Sequence, residues 1–447
     1  MPRVAPFRGL HYSIDRFGGP SVPARVALSE DAEAPPTRVA DLTDLACPPY
    51  DVIDDAQRDA LLALDPRNAV RVELSPEPDP HAAAAETLDG WLADGTLARR
   101  DEPAAYYYRH ATAADPNEPT VEGVVVRVLL EPWGAGVRPH EHTMPGPKAD
   151  RLALLRSTRT QLSPILTVYF DRSERYHHFM SRAWTDEWRA RDGDGLLHQL
   201  TAIEADDRLL NYLARQILFV ADGHHRYETA LIHQAEVRAD PRHASVAPGS
   251  LAADWIMMLL VNAELTELEI RPTHRLLLDA DTDALRALAA GEDPLWHVIP
   301  MAPEALDGAL DERRHDADPV FGLVLGGGDG YLLIGDADEL AYRLRRESMS
   351  REVRSLDLAA LHVSVLGDRL GIGPEEVAAG SRLAYTRSEA DARERVARGE
   401  AAAAILVRPT RLDQLAEVAS AGDVMPQKST YFYPKLLTGM VFNPLED

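Results

Sequence analysis

The sequence predicts a mixed α/β protein of the α+β kind, in two domains, 1–265 and 266–447. Three observations carry this. A chain of 447 residues exceeds what one hydrophobic core usually organises. Short apolar runs that read as buried strands (Leu162 to Phe170, Ile217 to Val220, Ala402 to Val407) are interspersed with segments of helical period (His81 to Ala93, Tyr227 to Val237, Glu389 to Arg398). Residues that bear chemistry collect in a few stretches broken by Pro and Gly.

Taken in order, residues 1–45 read as an irregular arm with one or two strands. In Cys47-Pro48-Pro49-Tyr50-Asp51-Val52-Ile53 two prolines fix an extended backbone, so Tyr50 and Asp51 sit on a constrained loop before a helix near Asp54. That loop is either one wall of a site or a helix-capping turn. Asn68 to Leu74 alternates as a strand, and a helix over His81 to Ala93 closes at Asp94-Gly95. Ala105 to Arg109 and Val121 to Leu130 read as strands. Arg138 to Arg151 (RPHEHTMPGPKADR) is loop chemistry leading into a helix over Ala149 to Ser157, and Arg172 to Leu213 reads as helical and charge-rich.

Ile217 to Val220 then runs into Asp222-Gly223, and a helix follows at once. Ala252 to Ala263 is an apolar core strand or helix. In the second domain, helices over Thr282 to Ala290 and Pro303 to Arg313 flank strands near Phe321 to Leu325 and Tyr331 to Ile334. Gly326 to Gly330 joins those strands as a hairpin turn rather than a phosphate loop, because a strand follows it.

Composition narrows the functions. A formal net charge of −25 argues against a broad electrostatic grip on nucleic acid or on anionic membranes. No apolar run approaches the ~20 residues that span a bilayer, and the N-terminus lacks a signal-type apolar core. One cysteine, Cys47, permits no intrachain disulfide, and a cytoplasmic location is the simplest expectation. Of 47 basic residues only Lys148, Lys428 and Lys435 are lysine. In so arginine-rich a chain, they mark places where a compact, flexible ammonium is needed.

The sharpest stretch is Leu218 to Leu231 (LFVADGHHRYETAL). Strand, glycine turn, helix presents backbone N–H groups and a positive dipole end to an anion. Into that turn the chain places Asp222, His224, His225 and Arg226. The tail Met425 to Met440 carries Lys428, Ser429, Thr430 and Lys435 and is expected to fold back toward an anion. His140-Glu141-His142 has a spacing that can bind a metal on a strand, but no third ligand is local and the stretch reads as a loop. Glu141 as a base or magnesium ligand is the preferred reading there.

Together PPYDVI (48–53), HEHTMPGPKADR (140–151), ADGHHRYETAL (221–231) and MPQKSTYFYPK (425–435) resemble a widespread bacterial and archaeal family of uncharacterised proteins, a domain of unknown function. More distantly, strand-DGHHR-helix resembles the phosphate-binding motif of the ParB/sulfiredoxin-like fold, which includes CTP-binding partition proteins, sulfiredoxins and free-serine kinases. That resemblance implies a ParB/sulfiredoxin-like core with inserted elements plus a C-terminal α+β domain. It also implies that Gly223 admits the phosphates while His224, His225 and Arg226 hold their oxygens.

The expected function is a nucleotide-dependent phosphotransferase, a kinase of a small hydroxylated, serine-like metabolite. Catalytic roles fall to Glu141, His225 and Lys148. Gly223, His224, His225, Arg226, Arg151, Lys428 and Lys435 bind phosphate or nucleotide. Asp222 and Glu228 hold Mg²⁺; Tyr50, Asp51, Ser429 and Thr430 meet the substrate. ATP or ADP and Mg²⁺ are the expected cofactors. The expected partners are nucleotide and small molecule, without nucleic acid or membrane, and with a homodimer left open. The alternatives are a ParB-like nucleotide switch, or a metal-dependent hydrolase built on His140, His142, His224 and His225.

Overall fold

The computed structural model describes residues 1–19, 38–111, 119–141, 145–173 and 184–446. The chain divides into two compact units. Unit 1 comprises Met1–Pro139, Met144–Leu268 and Pro434–Asp447; unit 2 comprises His140–Thr143 and Glu269–Tyr433. Each is mixed α/β. Among the described residues no helix is long and apolar enough to cross a membrane.

Unit 1 is organised on a ten-stranded mixed sheet. Its strands run in the order Arg38–Asp41, Trp184–Arg191, Leu197–Ile203, Ala105–Ala111, Pro119–Leu129, Trp255–Asn262, Ile165–Tyr169, Leu218–Asp222 and Val137–Arg138; Val4–Ala5 pairs with Pro119–Leu129. Trp255–Asn262 is buried at every position, so its unbroken apolar run marks a central strand sealed on both faces. It pairs parallel with Ile165–Tyr169, which pairs antiparallel with Leu218–Asp222. The core on this sheet gathers Val126, Ile165, Val220, Met258 and Leu260 with Tyr227 and Ala230 of the helix His224–Ala239.

Two sequence expectations are corrected. Asn68 to Leu74 is not a strand: Val70–Glu73 is a short helix. The buried Asn68 side chain accepts from Val70 N–H (2.9 Å) and donates to the carbonyls of Asp44 and Ala46, fixing a turn that alternation cannot reveal. Arg172 to Leu213 holds the strands Trp184–Arg191 and Leu197–Ile203 before the helix Asp207–Leu213. Their partners, Arg38–Asp41 and Ala105–Ala111, are far away in sequence, and that pairing overrides local helix propensity.

Unit 2 is a six-stranded antiparallel sheet in the order Trp296–Met301, Gly330–Gly335, Val320–Leu325, Ala403–Val407, His274–Leu277 and Leu383–Thr386. Alternate residues feed opposite faces. Phe321, Leu323, Ile405 and Leu277 pack with Leu285, Leu361 and Val365; Val320, Val324, Leu406 and Leu276 pack with Leu306, Leu310 and Val396. Gly326 to Gly330 makes the hairpin turn between Val320–Leu325 and Gly330–Gly335, as its sequence predicts.

The last residues belong to unit 1. Cys47 and Thr438 exchange backbone hydrogen bonds (3.0 and 2.8 Å), as do Leu10 and Phe442 (2.9 and 3.0 Å), and Asn443–Pro444 pairs with Thr160–Gln161. The Cys47 tie sets Lys435 beside the loop that carries Tyr50 and Asp51.

Candidate functional site

The site in unit 1 is built at the end of the strand Leu218–Asp222. The pairing register shifts between Val220 and Asp222, an irregularity of the kind that re-aims a strand end. Gly223 follows at φ +101°, the left-handed conformation a side chain resists, and caps the sixteen-residue helix His224–Ala239 with no side-chain cap. A Cβ there would lie 2.9 Å from Arg226 Nη2 and 3.1 Å from Ile165 Cγ1. The first helical turn is anchored from behind: Tyr227 stacks on Trp133 at 4.1 Å and donates its hydroxyl to the Glu131 carbonyl at 2.8 Å.

Asp222 is the hub. Arg226 Nη2 donates to its Oδ2 at 2.8 Å, and Lys435 Nζ donates to its Oδ1. Lys435 also lies 3.7 Å from Asp51 Oδ2. Side-chain exposure rises along the series, 11% for Lys435, 22% for Asp222 and 36% for Asp51, so Asp51 is the carboxylate most open to an incoming molecule. Burial pushes the Asp222 carboxyl up, but the charges of Lys435 and Arg226, the lysine hydrogen bond and nearby His224 outweigh it. They hold the group well below the usual carboxylate range. Arg226 is fixed further by donating to Ser163 Oγ (2.7 Å) and the Pro164 carbonyl (2.9 Å).

A second chain of contacts abuts the first. Arg151 donates to Glu73 Oε1 (3.0 Å) and twice to Asp150 Oδ2 (2.8 and 2.6 Å), and its guanidinium lies 4.2 Å from the centre of the Tyr50 ring. Burial pushes the Tyr50 hydroxyl up to about 12, within the fields of Arg226, Asp51, Arg151 and Asp222. Lys148 pairs with Glu228 on the helix that starts at the turn.

Unit 1 therefore assembles Tyr50, Asp51, Lys148, Arg151, Asp222, Gly223, His224, His225, Arg226, Glu228 and Lys435 from two of the four sequence motifs and parts of the other two. Glu141, Lys428, Ser429 and Thr430 belong to unit 2. There Glu141 Oε1 accepts from the backbone N–H of Lys428 (3.0 Å), a residue at φ +58°. His140, fully buried, bonds Thr430 Oγ1 at 2.7 Å. Thr410 Oγ1 donates to the Ser429 carbonyl at 2.7 Å.

His142 and Thr143 lie outside the described residues. Asp222 and Glu228, expected to hold Mg²⁺, each carry a cation of the chain, and among the described residues no three His, Cys, Asp or Glu side chains are grouped to hold a metal. Ser163 and Glu73 were missed by sequence reading. Ser163 opens the run SPILTVYF without any motif, and Glu73 stands in a segment that alternates like a strand.

No curated protein matches the chain. Among solved structures, it is similar to a free serine kinase in complex with AMP (12% identity, 66% of this chain and 83% of that one, TM-score 0.35). It is also similar to a conserved hypothetical protein from Pyrococcus furiosus (12%, 67% and 89%, 0.34) and to SbnI with a C-terminal truncation from Staphylococcus aureus (12%, 69% and 84%, 0.35). A family model described as "Protein of unknown function (DUF1015)" matches residues 30–359, which are 330 of the 447 residues, and the chain belongs to that family.

Proposed function

We propose that unit 1 binds the phosphates of a nucleotide at Gly223 to Arg226 and transfers a phosphoryl group to the hydroxyl of a small, serine-like metabolite. One observation carries the reading: a long helix begins at a glycine in the left-handed conformation, without a side-chain cap, beside a carboxylate already neutralised by Lys435 and Arg226. Such an end offers N–H donors and a positive dipole to an anion. With Asp222 neutralised, the nearest negative charge no longer repels it.

ATP supplies the phosphoryl group. Gly223 lets backbone approach the phosphates, and His224 and His225 flank them. Lys435 and Lys148 offset the charge that spreads over the transferred group's oxygens. Asp51, the more open carboxylate on Lys435, takes the proton of the substrate hydroxyl as its oxygen bonds phosphorus and the bond to the leaving diphosphate breaks. In this reading the base role expected of Glu141 passes to Asp51. The Mg²⁺ ligand roles expected of Asp222 and Glu228 are not retained, since both carboxylates are engaged by lysines.

The test is a thermal-shift titration of wild type and Gly223→Ala with ATP and ADP, each with and without Mg²⁺. Product detection by mass spectrometry after incubation with serine follows. Stabilisation of wild type by about 2.7 kcal/mol at ~100 times the dissociation constant, with affinity at least tenfold weaker in the variant, is expected. Equal shifts in both proteins, or none in wild type, refute a phosphate site at the turn.

A further inference from the structure

Glu73 is a buried carboxylate to which the reaction above gives no part. It is 4% exposed, and Arg151 satisfies only Oε1; Oε2 has no hydrogen-bond partner. A buried charged oxygen left unpaired is costly, and such an orphan calls for an occupant. Glu73 lines a cavity of about 140 Å³ within unit 1, together with Arg58, Ser75, His81, Asp150 and Arg151. That volume is close to the ~150 Å³ of a cavity that takes up benzene, so a molecule of about six non-hydrogen atoms fits.

Its polar lining is of two kinds. It includes two carboxylates, Glu73, whose Oε2 is buried and unpartnered, and Asp150, which is shared between Arg151 and His81 (3.0 Å). It also includes Arg58, whose Nε is buried and unpartnered while its outer nitrogens reach the exposed Asp55 and Asp59. Arg151 connects this cavity to the phosphate turn: it holds Glu73, covers Tyr50, and lines a smaller cavity of about 50 Å³ that Arg226 and Ser163 also line.

We infer that the cavity at Glu73 is the binding site for a small ammonium-bearing metabolite, its N–H donors on Glu73 Oε2 and an acid or hydroxyl group toward Arg58. This deepens the phosphotransferase reading by giving its acceptor a place, and it rests on that reading only for the statement that the ligand is the acceptor. An ammonium supplies the donors and the positive charge that Oε2 lacks. A purely anionic ligand would place like charge beside Glu73 and Asp150.

The experiment is calorimetric titration of the full chain, without nucleotide, with glycine, ethanolamine and glycolate. Wild type, Glu73→Gln and Arg58→Met are compared. Glu73→Gln keeps shape and removes the charge; Arg58→Met changes a partly exposed residue and leaves Glu73 and Arg151 intact, so it is informative even if the first variant fails to fold. The expected result is saturable binding of at least one amine and none of glycolate. Affinity falls at least tenfold in Glu73→Gln, and Arg58→Met weakens glycine more than ethanolamine. Binding of glycolate equal to that of glycine, amine affinity unchanged in Glu73→Gln, amine affinity unchanged in Arg58→Met if Glu73→Gln is not folded, or no saturable binding of any probe overturns the inference. Because no nucleotide is present, failure here is separate from failure of the phosphate site, which the ATP titration reads by itself.

Discussion

Replacing Lys435 by Met removes the ammonium from Asp222 while keeping a chain of similar length. The lysine is 11% exposed and Asp222 22%, so water does little to screen the lost contact. Asp222 retains Arg226 at 2.8 Å and is not stranded. The loss is therefore that of one hydrogen bond to a charged partner, about 1.5–3 kcal/mol, and falls short of the ~3–5 kcal/mol of an orphaned buried charge. Its pH dependence has a definite sign. The folded carboxyl titrates below the unfolded one, so its contribution is fully present above the unfolded pKa of about 3.9 and disappears as pH falls toward the folded value.

Wild type and Lys435→Met should thus differ by the full amount at pH 7 and converge only as pH falls far enough to protonate the folded carboxyl. Urea unfolding followed by tryptophan fluorescence measures this, because Trp91, Trp133, Trp184, Trp188 and Trp255 belong to unit 1 and only Trp296 to unit 2. Combining the change with Asp222→Asn should give a loss well short of the sum of the two. A difference under about 0.5 kcal/mol, the scale of an exposed pair, would refute the account of Asp222 as a carboxylate held by two cations.

Arg151→Lys should destabilise unit 1 by about 1.5–3 kcal/mol in the same assay, because an ammonium cannot hold Glu73 and Asp150 together while lying over Tyr50; a neutral result would count against the network. Met258→Ala, in the central strand, should lower stability by about 2–5 kcal/mol and leave nucleotide dissociation constants unchanged once the protein is folded. Affinity loss in that variant would tie the core to the site more closely than its packing suggests.

Much of this architecture is legible in the sequence, for identifiable reasons. Apolar runs such as Trp255–Asn262 need two covered faces wherever they occur, and Asp222-Gly223 punctuates a strand regardless of its neighbours. Glycine at φ +101° is the residue such a turn requires. Scarcity of lysine pointed to Lys435, but its anion proves to be Asp222, 213 positions earlier, a pairing no local pattern encodes. Asn68 misled for the same reason: its partners are carbonyls of a loop more than twenty residues away. Glu73 was hidden because alternation in Val70 to Leu74 imitates a strand, and only the fold shows that Arg151 meets it.

The long reach from Asp222 to Lys435 has a consequence for the chain as it is made. At about 5–20 residues per second, the 213 residues between them take roughly 10–40 s to emerge. Once Trp255–Asn262 has emerged, the ten-stranded sheet can form with Asp222 held by Arg226 alone. The nascent protein thus has the strand, turn and helix of the site before the ammonium that completes it. A ribosome stalled between Glu269 and Tyr433 would release a product that can be well folded around Met258 and still chemically unfinished.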